Sequence, residues 1–110
     1  MNKKDMIKKI IEMFNTGDTN GVSSIFSLSY IDHQKPDFIK TDGPEEFKEI
    51  VRLARRSMPN LIVKMSKHDF RANKIVVEFI WRSKKGERKT KETLLVSNGK
   101  VEEHWGKEIK

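Results

Sequence analysis

The chain has no cysteine, three prolines and a single tyrosine among its 110 residues. Without thiols there are no disulfide bridges, no thiolate catalysis and none of the common zinc-finger ligand sets, which fits a reducing compartment. No apolar run approaches the roughly 20 residues that a membrane-spanning helix needs. The segment MNKKDMIKKIIEMF interleaves charges with its apolar residues, so it lacks the uninterrupted hydrophobic stretch of a signal peptide. The expectation is a soluble cytoplasmic protein with no membrane partner. No glycine-rich phosphate loop, nucleophile elbow or HExxH occurs, so nucleotide hydrolysis, acyl transfer and zinc proteolysis have no support. The three histidines, His33, His68 and His104, show no metal-ligand spacing, and neither a metal nor a cofactor is expected.

What is present is charge, and most of it is basic. Lysine and arginine number 23 against 16 acidic residues, a formal net charge of +7 that raises the question of nucleic acid. The one dense cluster, Arg82, Lys84, Lys85, Arg88, Lys89 and Lys91, brackets Gly86 between two strand-like runs. That placement describes a solvated hairpin tip, where lysines also discourage edge-to-edge association. No stacking aromatics are interleaved with the cluster and no groove-reading motif accompanies it, so a nucleic-acid-associated protein is the weaker alternative. The length suits one domain over residues 1–110.

Periodicity divides the chain in two. Residues 4–15 place Met6, Ile7, Ile10, Ile11 and Phe14 on one helical stripe, with Gly17 as a left-handed cap. A second short helix is expected over Asn20–Leu28, burying Val22, Ile25 and Phe26, followed by a short strand at YIDHQKP. In GPEEFKEIVRLARRSMPN, Pro44 suits the first helical turn, and Glu45 and Glu46 complement the positive end of the dipole. Arg55 and Arg56 lie near the negative end of that helix, and Pro59 blocks its extension. From residue 61 the period becomes two: LIVKMSKHDF, KIVVEFIWR, KTKETLLVS and KVEEHWG are four strands joined by short polar turns. Helices first and an antiparallel meander afterwards predict an α+β fold, a cone-like curved antiparallel sheet packed against N-terminal helices. A pocket opens readily between a curved sheet and its helices.

The last hairpin sets the expected site. Asn98-Gly99 suits a two-residue type I′ turn, which pairs Val96 with Val101, Leu94 with Glu103 and Glu92 with Trp105. In a regular strand Leu94, Val96, Val101, Glu103 and Trp105 then share one face. Glu103 is a lone carboxylate on that apolar face. Burial would raise its pKa toward the range useful for proton transfer, and the alternative is an ion pair that holds the sheet or a dimer together. His104 should face the other way, toward a dimer contact. Asp32 and His33 are neighbours on a strand and point to opposite faces; with Ile31 inward, His33 is a secondary proton donor. Its alternative is a strand-end histidine bonded to a backbone carbonyl. Trp81 and Trp105 are aromatic walls for a planar ligand or plain core, and Phe79, Leu94 and Tyr30 complete the expected lining.

The order helix, short helix, YIDHQKP, GPEEFKEIVRLARRSMPN, strands, NGKVEEHW resembles the SnoaL-like polyketide cyclases of the nuclear transport factor 2-like superfamily, from about residue 5 to residue 106. The resemblance implies a curved sheet around a pocket and a homodimer formed through the sheet. It also implies cofactor-independent proton transfer on an enolisable, apolar or aromatic small molecule. In those cyclases an acid/base aspartate stands on the last strand. Its place falls near Ile109, where this chain reads GKEIK, and the region between Trp81 and Lys91 is shorter than in typical relatives. The other expectation is therefore a non-catalytic dimeric domain with a vestigial pocket.

Overall fold

In the computed structural model, which covers residues 1–110, three helices lie against one face of a five-stranded sheet. Helix α1 (Lys3–Thr16) starts where the Asn2 side chain accepts the Asp5 N–H at 2.8 Å. It ends at Gly17, whose positive φ of 81° lets its N–H return to the Met13 carbonyl. Its buried stripe is Met6, Ile7, Ile10, Met13 and Phe14. Helix α2 spans only Val22–Ile25, and strand β1 begins at once as Phe26–Asp32. The expected helix to Leu28 is thus corrected: Phe26, Tyr30 and Asp32 are buried while Leu28 is 90% exposed, which is strand rather than helix burial. Helix α3 (Pro44–Ser57) follows a loop and starts at the expected proline. Gly43 precedes it with φ 64°, and a Cβ there would fall 2.6 Å from the Leu28 carbonyl oxygen, so only glycine lets the loop pass β1. Arg55 of α3 donates to the Phe14 and Asn15 carbonyls at 2.9 Å, satisfying the end of α1.

The meander is β2 (Ile62–Phe70), β3 (Lys74–Ser83), β4 (Gly86–Ser97) and β5 (Lys100–Glu108), each antiparallel to the next. The sheet order is β1-β5-β4-β3-β2, and β1 runs parallel to β5, so the sheet is mixed rather than wholly antiparallel. The connection explains this: β1 lies along the free edge of β5, and α3 carries the chain across to the opposite edge at β2. The core between layers includes Ile75, Val77, Phe79, Leu94 and Val101 from the sheet and Phe47 and Val51 from α3. Asn15 docks α1 on the edge of β2, accepting the Val63 N–H at 2.7 Å and donating to the Val63 carbonyl at 3.2 Å.

The Asn98-Gly99 turn forms as read, with both residues at positive φ and Val96 opposite Val101. One step later the register breaks: Leu95 faces Glu103, so Glu102 is an extra residue in β5, a β-bulge. The Ser27 and Ser29 hydroxyls of β1 hold the bulged Glu102 carboxylate, each at 2.9 Å.

Candidate functional site

The bulge decides which groups meet under the helices. Because strand side chains alternate, one inserted residue turns everything beyond it to the opposite face. Leu94 is therefore opposite His104, not Glu103, and Glu92 is opposite Gly106, not Trp105. The face assignment made from a regular strand is corrected: His104 points inward, and Glu103 and Trp105 point out.

Inside, His104 lies between two carboxyl groups. Its Nε2–H donates to Glu92 Oε1 at 2.5 Å, and Nδ1 lies 3.1 Å from Asp32 Oδ1. The second approach is close but misaligned for a hydrogen bond, so Nδ1 is buried beside a carboxylate with no aligned acceptor. Burial alone would lower the imidazole pKa below 6.5. The two adjacent carboxylates, Asp32 and Glu92, outweigh burial and raise it to about 9. Tyr30 stands beside this trio. Burial first, then the charges of Asp32, Glu46 and Glu92, push its phenol far above the ordinary value, so it stays neutral. Gly106 makes room for the arrangement, since a Cβ there would come within 2.8 Å of Glu92 Oε1.

Asp32 is fixed from behind. Its N–H, on the open edge of β1, donates to Glu46 Oε1 at 2.5 Å, and Glu46 Oε2 accepts from Lys35 Nζ at 2.9 Å. Glu46 is fully buried. Sequence reading gave it a dipole role at the start of α3; the structure gives it this edge contact as well. The same hydrogen bond is the main reason that the Lys35 ammonium is held above its ordinary pKa.

The trio closes one end of an inner chamber of about 80 Å³ whose other walls are apolar and aromatic, among them Phe14, Phe26, Phe47, Phe79 and Trp81. The Trp81 indole N–H donates to Thr90 Oγ1 at 2.7 Å, and its ring meets Phe14 edge-on at 4.9 Å. On the far side of Phe14, Ile50 and Trp81 lies a more open groove of about 320 Å³, bounded by Leu53, Met58, Gln34 and Arg88. A water occupies roughly 30 Å³ of liquid, so the chamber suits a head group, whereas the groove suits a ring system.

Of the residues anticipated from sequence, Tyr30, Phe79, Trp81 and Leu94 line the chamber together. Glu103, His33 and Trp105 also meet, but on the outer face: His33 Nε2 lies 2.8 Å from Glu103 Oε1, and the imidazole stacks on the Trp105 ring at 4.7 Å. Sequence reasoning missed Asp32, Glu92 and His104. The signal for Glu92 was available, since it is two residues before the inward Leu94 on a strand. The signal for His104 was indirect: in VEEHW a regular alternation buries Glu103 against leucine, while one bulge puts both glutamates outside. The place near Ile109 offers no acid to the chamber; neighbouring Glu108 is at the surface, 3.3 Å from Arg88.

No family profile and no curated protein matches the sequence. Solved structures do match in shape. A SnoaL-like polyketide cyclase from Agrobacterium tumefaciens has a TM-score of 0.82 over 100% of this chain and 93% of its own, at 9% identity. A candidate polyketide cyclase from Bacillus cereus has a TM-score of 0.83 over 98% of this chain and 78% of its own, at 17% identity. A de novo designed protein with a curved β-sheet has a TM-score of 0.77 over 99% of this chain and 88% of its own, at 14% identity. Identities this low show the fold alone, and one fold hosts many functions.

Proposed function

With the SnoaL-like fold as scaffold, we propose that this chain holds a small, largely apolar or aromatic molecule between helices and sheet and exchanges a proton with it. The head of the ligand occupies the inner chamber and its body lies in the groove beyond Trp81. The supporting observation is the buried Asp32–His104–Glu92 arrangement at the end of an aromatic chamber. Paired acid and base groups in a desolvated cleft are what proton transfer needs, and they are costly to keep for packing alone. A carboxylate takes the proton, and His104, bridging both acids, keeps the site's charge balanced as it moves. The chemistry is of the cyclase or isomerase type and uses no cofactor. A second reading, ligand holding without turnover, is favoured by one observation: the chamber of about 80 Å³ admits little more than a head group.

Glu103 and His33 belong to a different surface. With Trp105 39% and Ile31 48% exposed on the outer face of the sheet, we assign this patch to pairing with a second copy. Sedimentation velocity should show a dimer that Trp105→Glu dissociates; a monomeric wild type removes the assignment. No helix is long and apolar enough to cross a membrane.

The test of function is NMR titration with 2-tetralone, watching the His104 ring protons and solvent-deuterium exchange beside the carbonyl. Binding should shift His104, and Glu92→Gln should slow the exchange at least 100-fold, the usual scale of an acid/base group. Binding without exchange would leave the holding reading. An undisturbed His104 would end both.

A further inference from the structure

The polar residues of the outer groove are Gln34, Ser57, Arg88 and Thr90, and each of them carries a hydrogen-bond donor. We propose that the ligand bears a carboxylate at the end away from its reacting head, and that Arg88 and Gln34 receive it at the mouth of the groove. The inference rests on the pocket reading above and names the substrate class of that site, an enolisable aromatic or apolar acid.

Strand β4 sets the polarity of the whole cleft. Alternate side chains share a face, so its inward residues run Leu94, Glu92, Thr90 and Arg88 from the chamber to the mouth. The acid is deep: Glu92 is buried beside His104. The cation is outermost, opposite Trp81 in the strand register, and Trp81 walls both spaces. Glu92 and Arg88 are four strand positions apart, roughly 13 Å at a rise of about 3.3 Å per residue. Less the reach of the two side chains, that span suits a fused two-ring body with a polar group at each end. The reverse orientation is closed, because an acid in the chamber would sit against Asp32 and Glu92.

The donors at the mouth are uncommitted. Thr90 Oγ1 accepts the Trp81 N–H at 2.7 Å, which leaves its own O–H to donate. The Gln34 backbone is anchored by its N–H on Asp32 Oδ1 at 2.8 Å, while its side-chain amide reaches into the groove with no partner in the protein. Arg88 gives one N–H to Glu108 at 3.3 Å, a long contact, and Glu108 lies outside the groove lining. The rest of the planar guanidinium fork is free for a carboxylate, while no acid lines the groove to compete from within. The Arg88 side chain is 55% exposed, so water screens the pair and the gain is modest, about three- to fivefold in affinity.

The test compares 6-carboxy-2-tetralone with its methyl ester, following the Trp81 indole N–H and the His104 ring protons by NMR. The acid should bind wild-type protein about three- to fivefold tighter than the ester, and added salt should shrink the difference. Arg88→Gln should erase the preference. Lys91→Gln, which removes the same charge from the outward side of β4, should keep it. An ester that binds as tightly as the acid overturns the inference, and so does a preference that survives Arg88→Gln. In both cases a shifted His104 leaves the pocket reading standing. Failure of both compounds to move Trp81 and His104 overturns the two together. The wild-type pair decides the matter even where a variant does not fold.

Discussion

Glu46→Ala should lower the unfolding free energy by about 2–4 kcal/mol, the range for a buried N–H left without its acceptor together with the cavity of the lost side chain. Glu46 is fully buried in α3 yet serves β1: one oxygen takes the Asp32 N–H and the other takes Lys35. Alanine leaves that N–H without an acceptor, opens a cavity and frees the loop that Lys35 ties down through the Thr41 carbonyl. Glu46→Gln separates these contributions. Its amide oxygen can still accept from Asp32, but its N–H₂ would face an ammonium group, and the expected loss is about 1–2 kcal/mol. Urea denaturation of the three proteins measures the series. An alanine variant within about 1 kcal/mol of wild type would mean that the edge of β1 finds another partner. The contact also matters for the site, because it sets the backbone that aims Asp32 at His104.

Raising the pH through 9 should weaken the protein, and His104→Phe should remove that dependence. The imidazole pKa is about 9 in the folded protein against 6.5 when unperturbed. A raised folded-state pKa means that the native state binds the proton more tightly. The stabilisation is whole below about pH 6.5, shrinks as the pH rises and is gone above about 9. The difference corresponds to on the order of 3 kcal/mol, at about 1.4 kcal/mol per pKa unit. In the phenylalanine variant Asp32 and Glu92 face each other without the imidazolium, so the loss should be greatest near neutrality. Gly106→Ala gives an independent check without touching a titrating group. Its Cβ would press on the Glu92 carboxylate, displace it from Nε2 and bring the His104 pKa down toward 6.5. Imidazole resonances followed by NMR report wild type and Gly106→Ala, and urea denaturation across the pH range reports His104→Phe. A wild-type titration near 6.5 would show that the two carboxyl groups do not hold the ring as a cation.

Much of this fold was legible one element at a time. The stripe of Met6, Ile7, Ile10 and Phe14, the proline start of α3 at Pro44 and the alternation of Ile75, Val77, Phe79 and Trp81 are local signals, and the structure keeps each of them. Val22, Ile25 and Phe26 satisfy helical spacing and so lengthen the expected second helix, although Phe26 is already the first residue of an alternating strand. The site was half legible. The apolar lining follows from the period of β3 and β4, whereas regular alternation puts Glu103 on the inner face of β5 and the bulge turns it out.

The sequence by itself determined the α+β order of elements, the four-stranded meander, the type of its last turn and the apolar faces of β3 and β4, because those depend on neighbours within a few positions. Only the tertiary structure decided where the charges went. The bulge at Glu102 is held by Ser27 and Ser29, more than 70 positions away, on a strand whose parallel placement beside β5 depends on the crossover through α3. That one inserted residue turns Glu103 outward to His33 and brings His104 in to Asp32 and Glu92. Period-two alternation specifies a face only relative to the preceding residue, so a shift set by a distant partner inverts everything after it.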